Sequence, residues 1–259
     1  MLKRERLLKI RTLVDDKGIM TVNEIGDSLG VSTMTVRRDL DELAEEHALV
    51  RIHGGAQSMR YRQSAEIARL ERRALNVAEK NEVAKIAAGL VHSGDTIYIG
   101  PGTTNELIAT YLNLSDVRVV TNSLPVFQSF QDRSAQFALQ LIGGTYQAHS
   151  GAFIGSLANE VILRLRTDLA FINVNGIDGN AITNASPDEG QTQRIAFDNA
   201  KARYVLADLT KLNHRDFYTF YALDQTTALI TNAAINATDR AAYGQFTQVL
   251  TGESENAQV

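Results

Sequence analysis

The run Val31-Ser32-Thr33-Met34-Thr35-Val36-Arg37-Arg38-Asp39-Leu40-Asp41-Glu42-Leu43 restricts this chain more than any other. At 100° per residue Val36, Leu40 and Leu43 fall on one side, the apolar stripe of a helix that is buried on one face. Met34, Arg37, Arg38 and Asp41 face away from it. Ser32 is a natural N-cap, with Gly30-Val31 as a tight entry turn. Upstream, Thr21-Val22-Asn23-Glu24 has capping-box spacing, and Val22, Ile25 and Leu29 continue at helical intervals. Two amphipathic helices joined through a glycine turn make a helix-turn-helix, whose second helix presents its N-terminal side chains to base edges in the major groove. Those side chains are Thr33, Met34, Thr35, Arg37 and Arg38, with Thr21 and Ser32 at the two helix starts. Arginine bonds guanine in two places, threonine a base or a phosphate, and methionine suits a thymine methyl. Leu49 to Ala56 then alternates like a strand and stops at Gly54-Gly55; a short hairpin there would be a wing, adding Arg51 and His53 as DNA contacts. Two core helices with a solvated charged face remain the alternative for this run taken alone.

The run Thr33 to Leu40, with Leu49 and Arg51-Ile52-His53-Gly54-Gly55-Ala56 at this spacing, resembles the N-terminal domain of the DeoR family of bacterial transcriptional regulators. The resemblance implies a double-stranded operator DNA partner and repression more often than activation, although no residue encodes the sign of regulation.

The formal charge of −4 runs against the basic footprint usual for DNA binding. It is unevenly distributed: residues 1–75 carry 14 Lys and Arg against 12 Asp and Glu, and residues 76–259 carry 12 against 18. Local placement must therefore attract the phosphates, with Lys3, Arg4, Arg6, Lys9, Arg11, Arg37, Arg38 and Arg51 available and Asp39, Asp41, Glu42, Glu45 and Glu46 late on the helix. The absence of cysteine excludes disulfides, thiolate metal sites and cysteine nucleophiles. No apolar run approaches the roughly 20 residues of a membrane helix. The basic start lacks the apolar core of a signal peptide, so a soluble, cytoplasmic protein without membrane contact, metal or cofactor is expected.

At 259 residues, a small domain plus a large one is favoured. The expected division is a winged helix-turn-helix over 1–56, a polar, arginine-rich linker over 57–78, an α/β domain over 79–250 and a frayed tail over 251–259. A first helix over 4–15 offers Leu7, Ile10 and Val14 to the helix pair. Beyond Glu79, helices alternate with β-rich runs at Thr96–Ile99, Val117–Thr121, Phe137–Ile142, Leu169–Val174, Arg203–Ala207 and Ala228–Thr231. Helices are expected near 104–112, 155–166, 188–201 and 236–246.

In such a sheet, ligands bind at the carboxyl ends of the strands. Gly100-Pro101-Gly102-Thr103-Thr104-Asn105-Glu106 ends a strand and opens a helix; its glycines and free N–H groups suit an anion. It lacks the lysine of a Walker loop, and Asn105 stands where a dinucleotide fingerprint has its third glycine, so a phosphate monoester is the better match. Three more polar loops follow: Asn173-Val174-Asn175-Gly176-Ile177-Asp178, Ser186 to Arg194 with Glu189, and Ala207 to Lys211. Each alone is equally well a turn.

In this order the loops resemble the DeoR effector domain, whose fold is similar to ribose-5-phosphate isomerase. That resemblance covers roughly residues 3–250 and implies a phosphorylated sugar effector, with Gly102, Thr103, Thr104, Asp178, Glu189 and Lys211 matching the ligand-site motifs. Gly100, Asn175 and Gly176 complete the candidate set. Many members carry a polar residue where this chain has Gly100-Pro101. Val119 to Phe127, Thr145 to Gly155 and Ser186 to Gln193 are particularly similar to the lactose phosphotransferase-system repressors of Gram-positive bacteria, which implies tagatose 6-phosphate. Paired half-sites imply a homodimer or homotetramer. The competing reading is a sugar-phosphate isomerase using Asp178, Glu189 and Lys211 as base, acid and stabiliser. The isomerases of similar fold lack the first 56 residues, and these carboxylates form no dense acidic motif.

Overall fold

The computed structural model describes residues 2–17, 19–52, 54–59, 71–133 and 136–252. The chain forms two compact units, Met1–Glu71 and Arg72–Val259.

The first unit runs α1 (Lys3–Lys17), β1 (Ile19–Thr21), α2 (Val22–Leu29), α3 (Thr33–Glu45), β2 (Leu49–Ile52) and β3 (Gly55–Ser58). Ile10 and Val14 of α1, Ile25 of α2 and Val36 and Leu40 of α3 are completely buried, and Leu43 nearly so. The predicted apolar stripes therefore meet in one small core. The expected wing at 49–56 is an antiparallel hairpin, with Ile52 paired to Gly55 and β3 also paired to β1. Gly54 turns the chain at φ +77°. A methyl group on Gly55 would lie 2.2 Å from the Met20 carbonyl oxygen, so only glycine lets β1 approach. The hairpin extends to Ser58, two residues past the expected boundary at 56, and is tied to α1 where the Ser58 hydroxyl donates to Asp15.

The second unit runs α4 (Val77–Gly89), β4 (Thr96–Ile99), α5 (Thr103–Glu106), α6 (Ile108–Tyr111), β5 (Val117–Thr121), α7 (Leu124–Gln131), β6 (Phe137–Leu141), β7 (Thr145–Gln147), β8 (Ala152–Ile154), α8 (Ser156–Leu163), β9 (Thr167–Asn173), β10 (Gly176–Asp178), β11 (Ala181–Asn184), α9 (Pro187–Asp198), β12 (Ala200–Leu206), β13 (Tyr218–Ala222), β14 (Ala228–Ile230), α10 (Ala237–Gly244) and β15 (Gln248–Leu250). Seven strands form one sheet in the order β15-β14-β12-β9-β4-β5-β6, every pair parallel. Their continuous apolar runs follow from burial on both faces. On one face Ile97, Ile99, Val119 and Phe171 pack against Val83 and Ala87 of α4, Ile108 of α6 and Phe130 of α7. On the other, Tyr98, Ile172 and Val205 pack against Ile162 of α8, Phe197 of α9 and Tyr243 of α10. A small antiparallel sheet, β10-β11-β13, adds Ile177, Ile182 and Phe220 to that second core.

The expected helix over 104–112 breaks at Leu107 into α5 and α6. Among the described residues, no helix is long and apolar enough to cross a membrane. From β4 the strand order runs outward through β5 and β6, while β9, β12, β14 and β15 build the opposite side. The carboxyl ends of β4 and β9 therefore flank the topological switch point, where an open α/β sheet has its crevice.

Candidate nucleic-acid interface and effector crevice

Ser32 holds the start of α3: its hydroxyl accepts the Thr35 N–H at 3.3 Å and lies 3.0 Å from the Thr35 hydroxyl. With Val36, Leu40 and Leu43 turned inward, Thr33, Met34, Arg37 and Arg38 are exposed, Met34 at 61%. An uncovered methionine between a hydroxyl and two guanidiniums is a surface suited to a groove.

Much of the other basic charge is already engaged. Asp39, one of the acids late on α3, is 2% exposed and accepts two hydrogen bonds from Arg6, at 2.5 and 3.0 Å. Lys3 pairs with Glu42, Lys9 with Glu5 and Arg11 with Asp15. Arg51 donates to Asp41 at 2.8 Å and to the Gly55 carbonyl at 2.9 Å, bracing the hairpin against α3. Arg6 thus acts inside the unit, a correction to its reading as a phosphate contact, while Arg51 is braced by Asp41 with a third of its side chain still exposed. Of the eight cations considered, Arg4, Arg37 and Arg38 have no carboxylate partner among the described residues. Thr21 caps α2: its hydroxyl takes the Glu24 N–H at 3.2 Å, and the Glu24 carboxylate takes the Thr21 N–H at 2.7 Å and its hydroxyl at 2.8 Å. These bonds hold the Glu24 carboxyl below its ordinary pKa. His53 lies outside the described residues.

In the second unit, Gly100-Pro101-Gly102 leaves β4 into the crevice. Gly102 has φ +144°, and a methyl there would sit 2.6 Å from Asn173 Cβ. Thr103 is half-buried and Thr104 buried, with the Thr104 hydroxyl 3.4 Å from the Asn173 amide. That amide also donates to the Leu206 carbonyl at 3.0 Å, joining the ends of β9 and β12. Asn105 is completely buried and donates to the carbonyls of Gly100 at 2.8 Å and Phe171 at 3.2 Å, lacing β4 to β9. It occupies the very position that set this loop apart from a dinucleotide fingerprint.

Glu189 stands on the first turn of α9, whose N-cap Ser186 accepts its N–H. Its buried carboxylate accepts the Ser150 hydroxyl at 2.5 Å and lies 3.3 Å from His149 Nε2. One turn on, Gln193 is 3.5 Å from the Asn173 carbonyl, so this face of α9 borders the crevice. After β12, buried Asp208 caps a 3-10 turn over Leu209–Lys211, accepting the Thr210 N–H at 3.0 Å. Lys211 ends that turn.

Lys80, on α4, escaped the sequence reading. It is 6% exposed, and its ammonium donates to the carbonyls of Arg72 and of Leu75, the latter at 2.7 Å. Burial lowers its pKa, opposed by Asp208 and Glu106 and reinforced by Lys211 and Arg72, charges near enough to register on it. Its signal was present, since Lys80, Val83, Ala84 and Ala87 share one helical face, and a lysine on a buried stripe needs partners. Arg73 Nε lies 3.6 Å from Glu106 of α5, and the Arg72 guanidinium donates to the His149 carbonyl. Cations thus gather at this edge of the sheet.

Three expected ligand residues have other partners. Asn175 donates to Asp216 at 3.1 Å. Gly176 leaves room for the His214 carbonyl, 2.3 Å from where a methyl would be. Asp178 is exposed on β10 and lies 4.0 Å from Arg215. Asn175 and Gly176 therefore support the 213–216 loop, and the ion pair of Asp178 points to that loop as well.

Residues 6–62 match the DeoR-like helix-turn-helix domain, and residues 75–233 the DeoR C terminal sensor domain. The chain belongs to the DeoR family. It is 42% identical over 233 residues to the lactose phosphotransferase system repressor of Streptococcus mutans, covering 90% of this chain and 93% of that one. The protein of the same name from Staphylococcus aureus is 41% identical over 89% of this chain and 92% of the relative. That from Lactococcus lactis is 40% identical over 96% and 99%. Among solved structures, ribose 5-phosphate isomerase A from Methanocaldococcus jannaschii aligns with 53% of this chain and 55% of its own, at 20% identity and a TM-score of 0.39. That likeness is too loose to bear on function. The DeoR helix-turn-helix is the unit carrying Met34, Arg37 and Arg38, and the DeoR sensor domain is the unit carrying the crevice.

Proposed function

We propose that this DeoR-family chain represses a sugar-utilisation operon, with α3 reading operator DNA and a phosphorylated sugar, tagatose 6-phosphate first among them, releasing it. What supports the sensing half is the Gly102 turn at the carboxyl end of β4, with the Thr104 hydroxyl 3.4 Å from the Asn173 amide that also bonds Leu206, and two lysines, Lys80 on α4 and Lys211 after β12, near enough for one charge to act on the other. Backbone N–H groups and hydroxyls suit phosphate oxygens, and two ammonium groups supply the counter-charge. Glu189, held by Ser150, is a ready acceptor for a sugar hydroxyl. The relatives' name, lactose phosphotransferase system repressor, supports the choice of sugar operon. It also favours a regulator over the isomerase reading.

Release requires the effector to bind the DNA-bound and free arrangements unequally, because equal affinity shifts nothing. Residues 72–75, where the sensor domain begins, reach the crevice edge through Arg72 to His149, Arg73 to Glu106 and Leu75 to Lys80. An effector that displaces these contacts acts on the chain leading back to the reading domain. A helix-turn-helix reads paired half-sites, so the functional form is a homodimer or homotetramer.

A gel-shift on DNA upstream of the neighbouring genes, repeated with aldose and ketose phosphates, tests this reading. A specific shift abolished by one phosphosugar and untouched by its unphosphorylated parent is expected. Interconversion of aldose and ketose phosphates by the purified chain, abolished in Lys211→Ala, would refute it.

A further inference from the structure

Arg37 and Arg38 stand on a helix that carries the means to neutralise them. Asp41 lies four residues after Arg37 and three after Arg38, and Glu42 lies four after Arg38, the spacings at which side chains on one helix face meet. Elsewhere this chain forms such pairs in the same Arg-to-Asp order: Arg11 Nε lies 3.8 Å from Asp15, and Arg194 Nε 3.7 Å from Asp198. On α3 no such pair forms among the described residues, and each acid is taken by a cation from another element instead. Arg51 of β2 reaches Asp41 at 2.8 Å, Lys3 of α1 reaches Glu42 at 2.6 Å, and Arg6 of α1 holds the buried Asp39 through two bonds. Lys3 and Arg6, one turn apart on α1, thus meet Glu42 and Asp39, one turn apart on α3, as an antiparallel ladder. Arg51 is itself held, since it also donates to the carbonyl of Gly55, a residue with no room for a side chain against β1.

We propose that Lys3 and Arg51 are positioning residues for DNA reading: by engaging Glu42 and Asp41 from outside the helix, they keep both acids off Arg37 and Arg38, whose guanidiniums stay open to DNA. The proposal rests on the reading of α3 as the DNA-facing helix. Two effects act in the same direction. A guanidinium paired within its own helix must give up that pair before it meets a base or a phosphate, and an unpaired carboxylate beside it repels the phosphate backbone. Direct phosphate contact by Lys3 or Arg51 is the rival account, because 62% and 32% of these side chains stay exposed. A cation acting through a carboxylate matters only while that carboxylate and the arginine it would capture are both present, whereas a phosphate contact matters in every background.

Fluorescence anisotropy of the full chain on a labelled fragment of the DNA upstream of the neighbouring genes, at low salt, separates the two. Lys3→Met should weaken binding about two- to fivefold, the size of one exposed charge pair, and Arg51→Met at least as much. Glu42→Gln should restore the Lys3→Met variant while tightening wild type by a smaller factor, and Asp41→Asn should do the same for Arg51→Met. In an Arg38→Ala background the Lys3→Met penalty should vanish. Such coupling marks residues that act on one another, and it should fade at high salt, where exposed charges are screened. If Glu42→Gln tightens wild type and Lys3→Met by one and the same factor, or if the Lys3→Met penalty survives in Arg38→Ala, the proposal is overturned in favour of a phosphate contact. Should Arg51→Met destabilise the hairpin in denaturant unfolding, the cycle of Lys3, Glu42 and Arg38 decides, because Lys3 makes no other ion pair among the described residues. Arg37→Ala and Arg38→Ala variants that bind as wild type does would sink the reading of α3 and this proposal with it; weakened arginine variants beside an uncoupled Lys3 would sink this proposal alone.

Discussion

Replacing Gly102 with alanine tests the crevice at its tightest point. The backbone there holds φ +144°, and the new methyl would meet Asn173 at 2.6 Å from Cβ and 2.7 Å from Oδ1. Ordinary carbon contacts are about 3.5 to 4 Å. Either the turn lifts away from β9, or Asn173 moves and gives up its bonds to Leu206 and Thr104. Backbone strain of about 1 to 3 kcal/mol applies in the first case, and about 1 kcal/mol for each displaced hydrogen bond in the second. A loss of about 1 to 3 kcal/mol from the sensor domain follows in either case, on the order of 2 to 12 °C in its unfolding midpoint for a domain of this size. Scanning calorimetry of the full chain measures it. The same variant should hold DNA normally at a temperature where it is folded, and should respond to phosphosugar at least tenfold less. Wild-type stability together with a full effector response would mean that the loop is neither tight nor in use.

Arg37→Ala or Arg38→Ala should weaken specific DNA binding by about 1 to 3 kcal/mol if that arginine reads a base; an equal loss on every sequence would reassign it to phosphate. Thr103→Val with Thr104→Val should leave operator affinity intact and abolish release by phosphosugar, as read by fluorescence anisotropy. Thr21→Ala removes the cap of α2 and should cost the reading domain about 1 kcal/mol in denaturant unfolding. Because the folded-state pKa of Glu24 lies below the ordinary value of 4.5, its contribution is present above that pH and is lost as pH falls through the lower folded value. The stability difference between wild type and Thr21→Ala should therefore shrink in acid; a constant difference would separate the cap from the carboxylate.

What was legible in the sequence depended on how local its cause was. The stripe Val36, Leu40, Leu43 and the caps Thr21 and Ser32 are set by neighbours within a turn or two, and the helices follow them within about two residues. The strand at Thr96–Ile99 is likewise a short apolar run bounded by turns. The wing hairpin was legible from the alternation after Leu49 and the glycine pair that ends it, whereas the use of Gly55 depends on β1, 34 residues earlier in the register with Thr21. Arg6 and Arg51 looked free since their carboxylate partners lie on another element. Asn105, Asn173 and Lys80 matter through contacts across the switch point, which no spacing along the chain records. α7 went unpredicted although Ser123 caps it and Pro125 sits in its first turn. Asn175, Gly176 and Asp178 have the composition of a ligand loop, and their contacts to the 213–216 loop lie about 40 residues away along the chain, beyond what spacing records.

The central claim is that one chain couples an anion-binding crevice to a DNA-reading helix, and coupling free energy is reciprocal. The most direct measurement is the affinity for the releasing phosphosugar, taken by calorimetry on the chain alone and on the chain saturated with operator DNA. The account predicts that DNA weakens phosphosugar binding by the same factor by which phosphosugar weakens DNA binding, in the usual range of about 5- to 150-fold. Equal phosphosugar affinity with and without DNA would contradict it.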